Sequence, residues 1–507
     1  MANGLGLEDA FGATLGRIQA QGGERSRLGM MALMWICHTE RPLKADELCH
    51  ALGVEIGSTD FDLDNVPSIR TVLGFCQGLV VVDREGSTVR LVHFTLREYL
   101  SGRPDLFQKC NSVIAETCLT YLNSQQVMSV SATLPLDTQA MPFLRYSALY
   151  WGTHGKRELS DDAKWLALKL FRQYDNHISV RLLLESQSGP FFHQMMGLSP
   201  FTGLHCASFF GLVEVVKSLI ETEGFDINQG GPRGITPLGW AAQNGHEEVV
   251  RLLLGRRDVN PDRPDDLNRT PLGYAAMNGH EGVVRLLLGR GGINPDKRDR
   301  YGLTPLAYAA KNGRERVVRL LLRQGNVNLN TVDRDGQTPL SHAAWNGQEG
   351  VVRLLLGRED INPDKSDDDN QTPLAYAAKN GHDRVVQLLL GQGNVNPDSV
   401  DWFHRTPLSH AAENGHEGVM RLLLGREDVN PDRPDDGNRA PLAYAAWNGH
   451  DRVVQLLLGQ GDVNPHRRDN LGITPLSYAE NSEHKGVVKL MLDWKSSRLP
   501  LPRSSET

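Results

Sequence analysis

Histidines that could bind a metal recur in this sequence at a regular interval. They occupy one position, repeated every 34 residues or a multiple of 34, at His246, His280, His382, His416 and His450. Imidazole is a common metal ligand, so the row suggests a ladder of metal sites. However, copies of a helical unit stack about one helix diameter, ~10 Å, apart, whereas ligand nitrogens lie ~2.1 Å from a metal. We therefore expect no metal site.

Two further motifs could belong to an enzyme or a calcium site. The segment 74–78 (Gly-Phe-Cys-Gln-Gly) imitates a nucleophile elbow around Cys76. It lies at a predicted helix end beside a β-hairpin, not at a strand-to-helix turn. The segment 367–369 (Asp-Asp-Asp) is without the glycine and the distal glutamate of a calcium loop. A structural cysteine and a solvated turn explain these motifs better, so we expect no catalytic residue.

No phosphate-binding loop occurs in the sequence. The pattern Gly-x-x-x-x-Gly-Lys-Ser/Thr is missing, and the nearest fragment, residues 152–156 (Gly-Thr-His-Gly-Lys), is followed by Arg157. Without this loop there is no backbone cradle for phosphates and no lysine to reach them. We therefore expect no cofactor.

Length and composition narrow the remaining classes of protein. A chain of 507 residues should hold more than one folding unit, and a net charge of −7 gives no electrostatic reason to bind nucleic acid or an anionic membrane. The N-terminus does not resemble a signal peptide, and no apolar run approaches the roughly 20 residues that span a bilayer. Six sparse cysteines fit buried thiols of a reducing compartment. We expect a soluble cytoplasmic protein, with the nucleus as the alternative.

Most of the chain consists of copies of one helical hairpin. Threonine is a good N-cap, proline suits the first helical position, and a later Asn-Gly supplies the left-handed residue that ends the helix. A second helix follows with an apolar stripe, such as Val317, Val318 and Leu321. Thr-Pro-Leu or a near copy begins at Thr236, Thr270, Thr304, Thr338, Thr372, Thr406, Ala440 and Thr474, and one step back reaches Thr202.

Polar turn segments such as residues 258–266 separate the hairpins. One hairpin cannot bury its stripe alone, so neighbours must stack into a solenoid. The nine in-phase units resemble the ankyrin repeat. The resemblance implies an α-solenoid that binds a protein on its concave face, with histidines such as His246 bracing the loops between repeats. The 34-residue period is one longer than usual, and only His205 keeps the histidine of Thr-Pro-Leu-His, so the hydrogen-bond network of that histidine is in question.

The region before the array predicts a winged helix. Helices are expected at residues 24–38, 44–52 and about 66–75, and two strands at 79–83 and 88–92 form a hairpin. A DNA-reading third helix should be basic, yet this one carries only Arg70. Packing against protein is therefore favoured over DNA binding.

Several motifs of this region resemble one family. Residues 35–37 (Trp-Ile-Cys), 40–43 (Glu-Arg-Pro-Leu), 76–80 (Cys-Gln-Gly-Leu-Val) and 91–100 (Leu-Val-His-Phe-Thr-Leu-Arg-Glu-Tyr-Leu) resemble the winged helix after the NACHT nucleotide-binding module of fungal NLR-like proteins. The same module type is described for inositol-deacylase-like proteins. In that family the winged helix relays the state of the nucleotide-binding module to a sensor array. Here we expect that module to be missing.

The predicted organisation has four parts and is mainly α. A winged-helix domain covers residues 1–100, a helical connector 101–198, the ankyrin array 199–495 and a disordered tail 496–507. Within the connector, Ser160 should cap a helix, an aromatic helix is expected at residues 143–154, and residues 124–140 are expected to form a loop.

One position varies where most others repeat. It lies between Ala-Ala and Asn-Gly, and in ankyrin proteins it faces the partner-binding groove. A row that mixes tryptophan with charged residues has no packing explanation, which favours ligand contact over drift at an unconstrained surface site. We call it the variable row; it comprises Gln243, Met277, Lys311, Trp345, Lys379, Glu413, Trp447 and Asn481.

An aromatic row lies three residues before the variable row, on the same helix face. Its members are alike in every unit, which favours packing between repeats over selective recognition. The variable row is expected to rest on it. The aromatic row comprises Trp240, Tyr274, Tyr308, His342, Tyr376, His410, Tyr444 and Tyr478.

The leading hypothesis is a non-enzymatic recognition or scaffold protein, the sensor half of an NLR-like signalling protein. Its partner would be a protein on the concave face, with a NACHT module on another chain as a second partner and no nucleic acid. One alternative is a fragment of a NACHT-type NTPase switch whose nucleotide-binding module is missing or supplied by another chain. A less favoured alternative is a DNA-binding regulator that uses the winged helix.

Overall fold

The computed structural model describes residues 6–83, 85–130, 140–188, 200–222 and 226–497. Their contacts divide the chain into two compact units, Met1–Asp266 and Leu267–Thr507. The described residues form 28 α-helices and one two-stranded sheet, which confirms the mainly α fold class. No helix among them combines the length and the apolar character needed to cross a bilayer.

The first unit begins with a winged helix. Its strands pair antiparallel, with Val80 opposite Leu91 and Val82 opposite Val89. The third predicted helix begins at Ile69, not near residue 66, because Pro67 disfavours helical backbone at Val66 and the Ser68 hydroxyl accepts the Thr71 amide hydrogen at 3.2 Å. The elements are α1 (Leu7–Ala20), α2 (Gly23–His38), α3 (Ala45–Leu52), α4 (Ile69–Phe75), β1 (Val80–Val82), β2 (Val89–Leu91) and α5 (Phe94–Ser101).

Aromatic packing joins the winged helix to the connector within this unit. The fully buried Trp35 ring meets Phe143 and Tyr146 edge-on, with centroids 5.6 and 5.9 Å apart. Ser160 caps its helix as predicted, since its hydroxyl accepts from Ala163 N at 3.0 Å. The connector helices are α6 (Cys110–Leu122), α7 (Gln125–Met128), α8 (Leu144–Arg157), α9 (Asp161–Phe171) and α10 (Ile178–Ser188).

The predicted loop at residues 124–140 is wrong in its first part, where α7 lies. The side-chain amide of Gln126 pairs with the backbone of Phe61 in both directions, at 3.0 and 3.1 Å, and Val127 is buried. These contacts are distant in sequence, so local periodicity did not show them. Residues 131–139 lie outside the described residues.

Each repeat is a helical hairpin. The first unit also holds two repeats, α11 (Gly203–Phe210) with α12 (Val213–Ile220) and α13 (Pro237–Gln243) with α14 (Glu247–Gly255). The second unit holds seven repeats. Their first helices are α15 (Pro271–Asn278), α17 (Pro305–Lys311), α19 (Pro339–Trp345), α21 (Pro373–Lys379), α23 (Pro407–Glu413), α25 (Pro441–Trp447) and α27 (Pro475–Asn481). Their second helices are α16 (Glu281–Leu288), α18 (Glu315–Leu322), α20 (Glu349–Leu356), α22 (Asp383–Leu390), α24 (Glu417–Leu424), α26 (Asp451–Leu458) and α28 (Lys485–Ser497).

Threonine capping recurs at the start of the first helices. The hydroxyl of Thr304 accepts the amide hydrogen of Ala307 at 3.2 Å, and Thr372 does the same for Ala375 at 3.3 Å. Ala440 has no hydroxyl, so the helix after it begins without a side-chain cap. In the second unit, first helices of neighbouring repeats pack on one another, as do second helices, and stripe residues such as Val317 and Leu321 are buried.

The final helix is longer than the sequence predicted. α28 continues past Trp494 to Ser497, so the predicted disordered tail at 496–507 is wrong in its first two residues. The Trp494 indole donates to the carbonyl of Leu458 at 3.0 Å, which ties this end to the preceding repeat. Residues 498–507 lie outside the described residues.

Candidate functional site

In the second unit, a turn built around one aspartate precedes the first helix of each repeat from the Thr304 repeat to the Thr474 repeat. Oδ1 of Asp401, for example, accepts the amide hydrogens of Phe403 and Arg405, both at 2.9 Å. Backbone hydrogen bonds link successive turns, such as Trp402 N to Asp369 O and Asp436 N to Phe403 O, both at 3.1 Å. The turns are therefore hydrogen-bonded neighbours along one edge of the unit.

The aromatic row rests on the same aspartates. Tyr308 donates to Asp299 Oδ2 at 2.5 Å, and His342 contacts Asp333 Oδ2 at 2.8 Å. Equivalent bonds join Tyr376 to Asp367, His410 to Asp401, Tyr444 to Asp435 and Tyr478 to Asp469. Tyr274 through Tyr444 are buried, as is Trp240 in the first unit, which confirms a packing role for the row. The sequence carries a signal for these bonds that the predictions above did not include, an aspartate nine residues before each of these side chains.

The acidity of the turn aspartate differs from repeat to repeat. Burial alone raises the pKa of such a carboxyl. At Asp401, hydrogen bonds from His410 and the Arg405 amide, with the Arg405 charge, outweigh burial and lower the pKa to about 2. At Asp367 burial prevails over the Tyr376 hydrogen bond and the pKa is raised. Histidine units therefore hold an ionised aspartate more firmly than this tyrosine unit.

The variable row occupies the last turn of the first helices. In the second unit Trp345 and Trp447 are 41% and 44% exposed, large fractions for tryptophan. Lys311 and Asn481 are also exposed, whereas Met277, Lys379 and Glu413 are partly exposed. Gln243, in the first unit, is partly exposed as well. The row thus lies at the surface, as predicted.

The structure brings two members of the variable row together. The Lys379 ammonium lies 5.6 Å from the centre of the Trp345 ring, within cation–π range. Trp345 also meets Tyr376 edge-on at 4.9 Å, and Trp447 stacks on Tyr478 at 5.3 Å. The tryptophans therefore rest on aromatic-row residues of the next repeat, which confirms the expected aromatic floor.

Other members of the row contact their own surroundings. Met277 packs against Leu303, Ala307 and Tyr308. Glu413 accepts from the Arg405 guanidinium at 3.4 Å. The variable row is therefore a mixed surface with a cationic aromatic pair at Trp345 and Lys379 and an acidic contact at Glu413.

The recurring histidines brace one repeat against the preceding one. Nε2 of His382 donates to the carbonyl of Trp345, and Nε2 of His416 to that of Lys379, each at 3.0 Å. His450 and His484 contact Glu413 and Trp447 in the same way, and His246 contacts Phe209 in the first unit. The predicted bracing role is confirmed, but the histidines bind the end of the preceding first helix and not a loop between repeats. In the second unit the acceptor is the backbone of the variable row. No group of three metal-ligating side chains occurs among the described residues.

His205, the one histidine at the ankyrin Thr-Pro-Leu-His position, keeps its network in the first unit. Nδ1 contacts Thr202 Oγ1 at 2.8 Å and Nε2 donates to the carbonyl of Gln229 at 2.9 Å. Burial lowers the pKa of His205 to about 4. The Thr338 repeat places Ser341 there, whose hydroxyl lies 2.9 Å from that of Thr338.

The motif around Cys76 lies in the winged helix and is buried. The Cys76 thiol donates weakly to the carbonyl of Gly29 at 3.8 Å, and burial raises its pKa to about 12. A thiol with that pKa is protonated at neutral pH and is a poor nucleophile. Arg70, the basic residue of α4, is exposed.

One exposed feature escaped the sequence analysis. Trp402 and Phe403 form the tip of the turn between Asp401 and Arg405 and are 70% and 63% exposed. The signal was present in the sequence, since each equivalent turn holds at most one apolar side chain at these two positions, such as Tyr301 or Leu471, and others hold polar residues such as Arg334 and Asp335.

Comparisons with known families agree with both parts of the fold. Residues 204–299, 291–367, 354–435 and 427–499 match the family model described as ankyrin repeats (3 copies). Residues 18–108 match the model described as GPI inositol-deacylase, winged helix domain. No curated protein matches the chain significantly. The repeat matches cover more than half of the sequence, and so the chain belongs to the ankyrin repeat family and carries an N-terminal winged helix of the GPI inositol-deacylase type.

Proposed function

We propose that the chain is a non-enzymatic recognition protein that binds a protein partner on the variable row. Ankyrin repeats support a role in protein–protein interaction. The observation that carries the residue assignment is that Trp345 and Trp447 are half-exposed and that each rests on a tyrosine of the next repeat, Tyr376 or Tyr478. Tryptophan on a rigid floor loses little conformational entropy on binding, and it is enriched among residues that dominate binding energy.

The rigidity of the row supports this role. Each of the carbonyls of Trp345, Lys379, Glu413 and Trp447 accepts a histidine Nε2–H from the next repeat. The backbone beneath the side chains is therefore held before a partner arrives. A preorganised surface avoids part of the ordering cost of binding.

The winged helix favours a more specific hypothesis about the function. Because its family model matches at residues 18–108, directly before the connector and the array, the chain is proposed to act as the sensor half of an NLR-like signalling protein. Under this hypothesis, a NACHT module on another chain responds when the array binds its partner. The alternative is a fragment of an NTPase switch; an upstream reading frame with a phosphate loop would favour it.

The test compares capture of partners from a lysate of the source cell by the full chain and by Trp345→Ala/Lys379→Ala/Trp447→Ala. Its matched control is Arg353→Ala/Gln387→Ala/Gln455→Ala, which removes exposed side chains from the second helices of the same three repeats. Circular dichroism and melting temperature verify that both variants fold.

We expect a captured protein to be depleted at least about tenfold by the first variant, because hot-spot side chains each contribute ~2 kcal/mol or more. The control variant should retain it. Equal capture by the wild type and the first variant would remove the variable row as the binding site.

A further inference from the structure

We infer that the turn of Trp402 and Phe403 binds a lysine- or arginine-bearing segment of the partner protein. The inference deepens the proposed function and rests on it, because it gives the chemical class of the partner. It begins with exposure: the two adjacent rings are 70% and 63% exposed. Two such neighbours on one turn form an apolar patch that solvent does not favour.

The fold of the turn does not require these rings. Asp401 holds the backbone through its carboxylate, as Asp333 does in the Thr338 repeat with Asp335 and Gln337. The Thr338 and Thr406 repeats share Ser-His-Ala-Ala in their first helices, yet their turn tips read Arg-Asp-Gly and Trp-Phe-His. Even the left-handed position is kept, with φ of +79° at Gly336 and +57° at His404. The turn therefore forms without two aromatic side chains at its tip, and both rings stay mostly exposed although the Arg405 guanidinium contacts Phe403.

The two turns that neighbour the rings carry exposed acidic side chains. Asp368 and Asp369 on the preceding turn are exposed, and no described basic side chain forms an ion pair with either carboxylate. Asp436 on the following turn is exposed and pairs with the exposed His404 at 2.7 Å. Backbone hydrogen bonds through Asp369 O and Asp436 N join these two turns to the turn of Trp402 and Phe403. The surface around the rings is therefore acidic.

The arginines next to this turn and the following turn, Arg405 and Arg439, are already engaged. The Arg405 guanidinium lies 5.3 Å from the Phe403 ring centre and also contacts Asp401 and Glu413. Arg439 pairs with Asp435 at 2.9 Å and lies over Tyr444. Exposed aromatic faces beside unneutralised carboxylates attract a cation with an aliphatic stem, which is the chemistry of lysine and arginine. Through Arg405, this turn adjoins Glu413 of the variable row.

The test measures binding of a fluorescein-labelled peptide of four Gly-Ser-Arg units to the full chain by fluorescence anisotropy. A Gly-Ser-Gln peptide of the same length controls for charge. The variants are Trp402→Ala/Phe403→Ala, which leaves the net charge unchanged, and Asp368→Asn/Asp369→Asn. Tyr301→Ala/Leu471→Ala removes exposed apolar side chains from other turns and serves as the matched control.

We expect the arginine peptide to bind, the glutamine peptide not to bind, and the Trp402/Phe403 variant to lose about tenfold in affinity. The Asp368/Asp369 variant should also weaken binding and reduce its salt dependence. The control variant should bind like the wild type. Equal affinity of the wild type and the Trp402/Phe403 variant would overturn the inference, as would self-association of the wild type that this variant abolishes, because a second copy would then occupy the turn.

These outcomes are separable from those of the proposed function. If the variable-row variant loses its lysate partner but the Trp402/Phe403 variant binds the arginine peptide normally, this inference fails and the proposed function stands. If the variable-row variant keeps every lysate partner, the proposed function fails whatever the peptide does.

Discussion

A single hydroxyl group distinguishes the Ala440 repeat from its neighbours. The other first helices of the second unit begin at a threonine whose side chain caps an amide, whereas Ala443 N reaches only the carbonyl of Ala440, at 2.9 Å. The equivalent positions of other repeats accommodate a threonine, since Thr372 and Thr406 are about as buried as Ala440. The defect is therefore local and reversible.

The variant Ala440→Thr should stabilise its repeat by about 1 kcal/mol, because it supplies the missing N-cap. Amide hydrogen exchange in α25, followed by mass spectrometry on the full chain, measures the change. The reverse substitution, Thr372→Ala, should accelerate exchange in α21 by about as much as Ala440→Thr slows it in α25. Unchanged or faster exchange in the α25 of Ala440→Thr would contradict the prediction.

Acid should weaken the Thr406 repeat through Asp401. Its pKa is lowered from 3.8 to about 2, because hydrogen bonds from His410 and Arg405 outweigh the effect of burial. A carboxyl with a lowered folded pKa stabilises the fold above its unfolded pKa and loses that contribution as pH falls through the folded value. The contribution, up to about 2 kcal/mol, should therefore disappear between pH ~4 and ~2.

Thermal unfolding of the wild type and of Asp401→Asn across this pH range measures the contribution of Asp401. The wild type should melt higher at pH 6, and the gap should close toward pH 2. Asp367→Asn is the control, because burial raises the pKa of Asp367 and the sign of its pH dependence is opposite. A gap that stays constant with pH would count against the Asp401 assignment.

At the scale of elements, a glycine and a histidine form the joint between repeats. Gly347 has a φ of +67°, and a Cβ at this position would lie 2.7 Å from the ring of His382. The same ring donates to the carbonyl of Trp345. The close approach of Gly347 and the His382 ring therefore serves three features. It ends the first helix, positions the histidine that braces the repeats, and holds the backbone of the variable row.

The variant Gly347→Ala should lower the unfolding free energy by about 1–2 kcal/mol, from left-handed strain, with the displaced ring adding to the loss. Gly393→Ala is the matched control, because its φ is not left-handed and no atom lies within 4 Å of its added Cβ. Urea unfolding of both full-chain variants gives the comparison. If the two variants unfold alike, the joint is not under the proposed constraint.

At the scale of the whole molecule, the repeats share their helix sequences and differ mainly at surface positions. The Thr304, Thr372 and Ala440 repeats share Ala-Tyr-Ala-Ala, and the Thr338 and Thr406 repeats share Ser-His-Ala-Ala, which is a 68-residue duplication. Against this near-identity, the variable row and the 402–403 turn differ from copy to copy. Stability in such arrays is a sum over repeats and their interfaces, so surface differences can accumulate at little cost to folding.

The sequence by itself determined the elements whose cause is local. Threonine and proline start the first helices, Asn-Gly ends them, and the valine–leucine stripe requires a neighbour, so the solenoid and its period follow from adjacent residues. The hairpin of the wing follows in the same way from two β-rich runs around a polar turn. The position of the variable row came from the period, and its surface location was predicted correctly.

Only the tertiary structure decided which distant side chains meet. α7 depends on a pairing between Gln126 and Phe61, and the Lys379 ammonium reaches Trp345 only because neighbouring repeats stack. The exposure of Trp402 and Phe403 depends likewise on hydrogen bonds to neighbouring turns. Local propensity contains no information about such pairings, because their energy comes from contacts between residues that chain connectivity does not place together.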